Sequence, residues 1–173
     1  DQDHGLQVDV DALKRASAFM QQSLNYVWEC TDMAQLRGMK AKWPVVYFRV
    51  FDQLILQQKK DFKFSGRNKR PPLDNVNAML SFVYTLLTNM VASALETVGL
   101  DPYVGFMHTD RPGRVSLALD LIEELRPVLA DRFVLGLINR KMVSGKDFSK
   151  KEDGAVLMTD RARKLLLTEW QNR

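Results

Sequence analysis

Residues 74–99 read DNVNAMLSFVYTLLTNMVASALETVG, and this stretch decides the fold. Asp74 can accept a backbone N–H at the start of a helix, and Gly99 can take the left-handed conformation that ends one. Between them Ala78, Met79, Leu80, Phe82, Val83, Leu86, Leu87, Met90, Val91, Ala94 and Leu95 are apolar nearly all round. A helix of that kind belongs at the centre of a bundle, buried on most sides. About 25 residues at ~1.5 Å rise predict a rod ~37 Å long.

The flanks are also helical in period. Val8 to Trp28 predicts a helix capped by Asp9 or Asp11, with Leu13, Ala16, Met20 and Leu24 on one face. Met33 to Gln57 predicts a second helical run, divided or kinked at Pro44 because proline has no N–H to give. Pro71-Pro72 predicts an extended stretch. Beyond the long helix, GLDPYVGFMHTDRPGR is a turn-rich loop of a length that is more often functional than idle. Helices are expected from Ser116 to about Leu125 and, opened by Pro127, from Val128 to about Asn139. A charged loop, SGKDFSKKEDG, then leads into an extended run from Ala155 to Met158. Thr159 caps a final helix reaching about Gln171. The expected architecture is all-α: a multi-helix, orthogonal-type bundle around the long central helix, with residues 1–173 forming one helical domain.

Composition narrows the function classes. A chain of 173 residues with 46% hydrophobic content is able to bury a core and is not intrinsically disordered. The lone Cys30 excludes an internal disulfide, and one cysteine with two histidines excludes the usual four-ligand structural zinc site. No uninterrupted apolar run approaches the ~18 residues of a membrane span. The opening DQDHGLQVDVD has no secretory pattern, so a reduced, cytoplasmic protein is expected.

The formal charge is +4, and it is concentrated. In KKDFKFSGRNKR, residues 59–70, six cations face one acid; the window carries +5 and the rest of the chain −1. Lys63, Arg67, Lys69 and Arg70, interleaved with Phe62, Phe64 and Gly66, suit a loop that tracks phosphates; a solvated linker is the alternative.

Asp120, Glu123 and Glu124 lie within about a quarter-turn of one another on a short helix. Their repulsion asks for compensation, which Mg²⁺ or Mn²⁺ would supply through oxygen ligands. His108 precedes Asp120 across the glycine-rich loop and can fold back over the acids. The other reading is a solvated face, with Leu117, Leu119, Leu121, Ile122 and Leu125 forming the apolar side of the helix and His108 a loop or core histidine.

Four runs carry a resemblance: GRNKRPPLDNVNAMLSFVYTLL (66–87), ALETVGLDPYVGFMHTDRPGR (94–114), SLALDLIEELRP (116–127) and DRFVLGLINR (131–140). Together they resemble the CRISPR-associated endonuclease and integrase of spacer acquisition, the first of the numbered Cas proteins. The similarity runs from about Leu36 to Trp170, and GAVLMTDRARKLLLTEWQ resembles the type I systems, subtype C. The resemblance implies a helical domain that holds a divalent metal and cuts branched or duplex DNA or joins it through attack of a 3′-hydroxyl. It assigns His108 to the family's GF-x-H motif, and Asp120 and Glu123 to D-L-x-E, with Glu123 the direct ligand. It assigns Arg67, Arg70, Pro71 and Pro72 to R-x-x-R-P-P, with Lys69 between. The implied partners are DNA, a second copy of the chain and the second Cas adaptation protein.

Two departures from the family pattern stand out. Where it has R-G-(I/W)-E-G, this chain has Arg37-Gly38-Met39-Lys40-Ala41; where it has an alanine pair, this chain has Trp43-Pro44. Lys40 therefore stands at the position of a metal-binding glutamate. A protonated lysine cannot ligate a cation and repels it, so weak metal binding and an impaired nuclease are expected. Alternatively, Lys40 pairs with Glu123 and replaces the metal. The family's N-terminal β-rich domain, which forms its dimer, has no counterpart here, and a mainly monomeric helical fragment is expected.

Overall fold

The computed structural model describes residues 51–102 and 116–173, together with 14, 18, 47 and 48. The long helix, α1, spans Asn75–Thr97. Its 23 residues give ~34 Å of rod. The Asp74 side chain accepts from the Asn77 N–H at 2.7 Å. At the other end Leu100 donates back to Leu95 at 2.9 Å across Gly99, which lies at φ +79°. Both ends therefore stop where the capping residues place them.

The burial of α1 is uneven. Val76, Met79, Leu80, Val83 and Leu87 are fully enclosed, whereas Met90 and Val98 are exposed. The expectation of burial on most sides holds for the N-terminal half. Over the last turns one face, Val91 and Leu95, is covered. By length and composition α1 is also apolar enough to cross a membrane. Its enclosed residues pack on protein, as in the core helix of a bundle.

Two expected helix boundaries moved. Lys14, Ala18, Tyr47 and Phe48 are helical, as expected. The run drawn to Gln57, however, ends at Phe51 and a single 3₁₀ turn, Asp52–Leu54. Asn139 is the physical reason. Its Oδ1 accepts from the Leu56 and Gln57 N–H groups at 2.8 and 3.2 Å, and its Nδ2 donates to the Leu54 carbonyl at 3.0 Å. Those backbone groups are satisfied without a further helical turn. The second change is at Pro127. Helix α2, Ser116–Leu125, does not end there but runs on through a wide π turn, Arg126–Asp131, into α3, Arg132–Asn139. The wider turn accommodates a residue with no N–H donor.

The charged loop after α3 contains structure that periodicity missed. Ser144 and Asp147 cap each other across a 3₁₀ turn, Gly145–Asp147. A hairpin follows, β1 (Phe148–Lys150) paired antiparallel with β2 (Val156–Met158), and Phe148 faces Met158. The Val156 N–H donates to the Pro72 carbonyl at 2.9 Å, tying the proline segment to the hairpin. Helix α4, Asp160–Gln171, starts where Thr159 accepts from Ala162 at 3.2 Å. Its Arg161 pairs with Asp147 at 2.7 Å.

The core forms between these pieces. Helix α1 packs on α2, the π turn, α3 and β2. Phe51, Ile55, Phe62 and Leu166 close it, all fully buried. The all-α class holds, with one hairpin of two three-residue strands added. Lys141, directly after α3, adopts φ 57°. Glycine usually fills that left-handed position, and a residue with a Cβ is disfavoured there by about 1 kcal/mol.

Candidate functional site

The basic segment does not fold as one loop. Phe62 and Phe64 face inward, 0% and 5% exposed, and their rings meet Phe148 at 5.6 Å and Phe51 at 4.9 Å. They anchor the segment to the core and are not platforms for bases. Lys59, Lys60 and Lys63 stay with the turn before and between these anchors. Arg67, Lys69 and Arg70 follow on a second turn laid over the start of α1.

Asn77 holds that second turn. It is fully buried. Its Oδ1 accepts from Arg67 Nη1 at 2.7 Å and from the Asn68 N–H at 3.1 Å. Its Nδ2 donates to the Gly66 carbonyl at 2.8 Å and to Asp74 Oδ2 at 2.6 Å. Arg67 also donates to Ser81 Oγ at 3.0 Å and to the Asn68 carbonyl. Arg67 is thus half-buried and bonded into the loop, while Lys69 and Arg70 are exposed.

Beneath this turn lies a buried polar cluster that no sequence pattern singled out. The Tyr84 hydroxyl donates to Asp131 Oδ1 at 2.5 Å, and Asp131 is 1% exposed. The Tyr47 hydroxyl lies within the electrostatic influence of the same carboxylate. The Arg67 and Arg126 guanidiniums lie 5.2 and 4.7 Å from the Tyr84 ring centroid. Burial raises the Asp131 pKa, against the hydrogen bonds from Tyr84 and Tyr47 and the pull of Arg126 and Arg67. Burial and the Asp131 charge likewise push both tyrosine hydroxyls far above the usual range. An Arg and an Asp at the two ends of the π turn and a Tyr on α1 form no sequence motif; the path of the chain brings them together.

This cluster links the basic turn to the acidic helix. Partial burial, then Arg126, Arg67 and Arg70, lower the Lys69 pKa, and Glu123 opposes them. Lys69 therefore lies within electrostatic reach of Glu123, which is half-buried on α2. Glu123 is the one expected metal ligand whose side chain is described. His108 and Lys40 lie outside the described residues, as does the side chain of Asp120, although its backbone is in α2. Among the described residues no three His, Cys, Asp or Glu side chains gather as a metal set. A half-buried carboxylate such as Glu123 is a donor type that hard divalent cations accept.

The family model described as CRISPR associated protein Cas1 matches residues 2–172, well beyond the start at Leu36 expected from the motifs. A CRISPR-associated endonuclease Cas1 of Chlorobaculum tepidum is 49% identical over 171 residues, covering 99% of this chain and 50% of that protein. Another, from Rhodospirillum rubrum, is 58% identical over 142 residues, covering 82% and 41%. The chain spans about half the length of these relatives. Among solved structures, a Cas1 protein of Thermotoga maritima superposes with a TM-score of 0.78 at 25% identity, covering 96% of this chain and 54% of that one. A casposase bound to its integration product gives 0.77 at 27% identity, covering 88% and 45%. With the family model spanning nearly every residue and a relative at 49% identity along the whole length, the chain belongs to the Cas1 family of CRISPR-associated proteins.

Proposed function

We propose that this chain is the helical, catalytic-type part of a metal-dependent DNA endonuclease and integrase of CRISPR spacer acquisition. The observation that carries the reading is the electrostatic coupling of Lys69 to Arg126 and Glu123, which brings phosphate-binding cations within reach of a candidate metal-binding acid. In this reading Lys69 and Arg70 contact the DNA backbone near the acid, and Lys63 contacts it from the neighbouring turn. Arg67 holds the turn in place and adds its charge. His108, Glu123 and Asp120 would hold Mg²⁺ or Mn²⁺, which when bound would supply Lewis-acid polarisation of a phosphoryl oxygen and activation of a water or a DNA 3′-hydroxyl. The chain's own cations bind and orient the phosphate and offset its charge.

The partners proposed are duplex or branched DNA, a second copy of the chain and the second Cas adaptation protein. Support comes from the neighbours: one is bound to its integration product, and a Cas6-RT-Cas1–Cas2 complex shares the fold with a TM-score of 0.81. The carboxy-terminal run GAVLMTDRARKLLLTEWQ supports assignment to type I, subtype C, and a cytoplasmic location accords with that role.

A second reading, a DNA-binding module without chemistry, is favoured by Lys40 at the expected glutamate position. Branched DNA with Mn²⁺ separates the two. For an impaired nuclease, the wild-type chain cuts weakly, Lys40→Glu raises the rate at least about tenfold, and His108→Ala in that background abolishes cutting. If both chains bind DNA but neither cuts it, the second reading stands. Cleavage that ignores metal and His108 sinks the proposed site.

A further inference from the structure

The other half of the basic segment meets a second set of lysines far along the chain. Gln58 opens the Lys59-Lys60 turn, and its Nε2 donates to the Ile138 and Val143 carbonyls at 3.0 and 2.9 Å. A Cβ built on Gly145 would lie 2.8 Å from Asp61 Cγ, so the turn at 58–62 rests on the turn at 143–147. Phe62 and Phe148 lock the same two segments together. Lys59, Lys60, Lys63, Lys141 and Lys146 are all exposed there. Among the described residues none of the five forms an ion pair. Of the acids in the two turns, Asp61 is set against Gly145, and Asp147 is buried and paired with Arg161.

Backbone conformation supplies a second, independent observation. Gln58 and Lys141 are the two non-glycine residues with positive φ among the described residues, at 56° and 57°. Both lie where the two turns meet. Lys141 closes α3 in the position glycine fills most easily: Met142 donates to Leu137 at 2.9 Å and Lys141 to Ile138 at 3.0 Å across it. A lysine kept in a glycine position, beside four other exposed lysines, points to a use for its charge.

We propose that Lys59, Lys60, Lys63, Lys141 and Lys146 form a second phosphate-binding shelf, which holds the backbone of a duplex DNA arm. The inference rests on the reading that the chain binds DNA. The shelf carries no aromatic platform and no fork of bidentate donors, so it grips the backbone without reading sequence.

The test uses the 173-residue chain, metal-free, with a random-sequence duplex, and follows affinity against salt. Removing one lysine–phosphate interaction flattens the slope of log K against log salt by about 0.9. Lys59→Gln/Lys60→Gln/Lys146→Gln is expected to flatten it by roughly 2–3 and weaken binding, while these exposed positions leave the fold intact. Lys141→Gly is expected to raise the melting temperature by roughly 2–4 °C and still flatten the slope by about 0.9. A lysine of merely structural value would not improve stability and impair binding in one step. If the triple variant keeps the wild-type slope, the shelf is overturned; Lys69→Gln/Arg70→Gln, flattening the slope in the same assay, would leave the site reading intact. A wild-type chain with no salt-dependent binding overturns both.

Discussion

Asn77 has no exposed surface, and all its polar side-chain atoms are bonded. Its removal takes one partner from the Arg67 guanidinium and leaves the Asn68 N–H and the Gly66 carbonyl without theirs. Asn77→Ala is therefore expected to cost about 2–3 kcal/mol, read as a lower urea midpoint at unchanged m. Asp131 makes a different prediction. Its pKa is raised above the ordinary 3.8, so the native state holds the proton more tightly than the unfolded chain. Its contribution to stability falls as pH climbs from about 4 through that elevated range. Asp131→Asn cannot titrate, so its stability relative to wild type should improve across the same window. Urea midpoints of both chains from about pH 4 to 8 check this; a constant gap would refute it. At this scale the sequence was partly readable. Glu123 and Lys69 were identifiable by residue type, whereas Tyr84, Arg126 and Asp131 were not, because nothing local distinguishes a tyrosine over a buried carboxylate from any other core tyrosine.

Among the elements, α1 and α4 were legible because capping and period are local properties. Asp74, Gly99 and Thr159 each act within four residues of their own position. Gly99 lies at φ +79°, and a methyl group on its Cα would find nothing within 4 Å, so Gly99→Ala meets backbone strain without a clash. About 1 kcal/mol is expected, visible as a small drop in thermal midpoint. The boundaries that moved were set from elsewhere in the chain. Asn139 ends the helix before residue 57 from 82 or more positions away. The second strand of the hairpin falls in the run expected to be extended, Ala155 to Met158, whereas its partner Phe148–Lys150 is too short to show alternation and lies in a lysine-rich loop.

For the whole molecule, the division of the basic segment matters most. A single +5 window became two surfaces because Phe62 and Phe64 are buried at its middle. Phe62 fastens one half to the hairpin through Phe148. Phe62→Ala is expected to cost about 3–5 kcal/mol and to weaken DNA binding further by loosening the Lys59-Lys60 turn. A destabilised chain that binds DNA with wild-type affinity and salt slope would separate that turn from binding.

The helical class, the central helix, the capping residues and the family motifs were determined by the sequence alone, since period, caps and motif spacing act over a few residues. Tertiary structure alone decided three things. It set Lys69 within electrostatic reach of Glu123 and Arg126, buried Asp131 beneath Tyr84, and joined Lys59 and Lys60 to Lys141 and Lys146. Each pairs residues tens of positions apart, and such pairs are selected by which apolar faces the core can bury, a condition no short window of sequence contains.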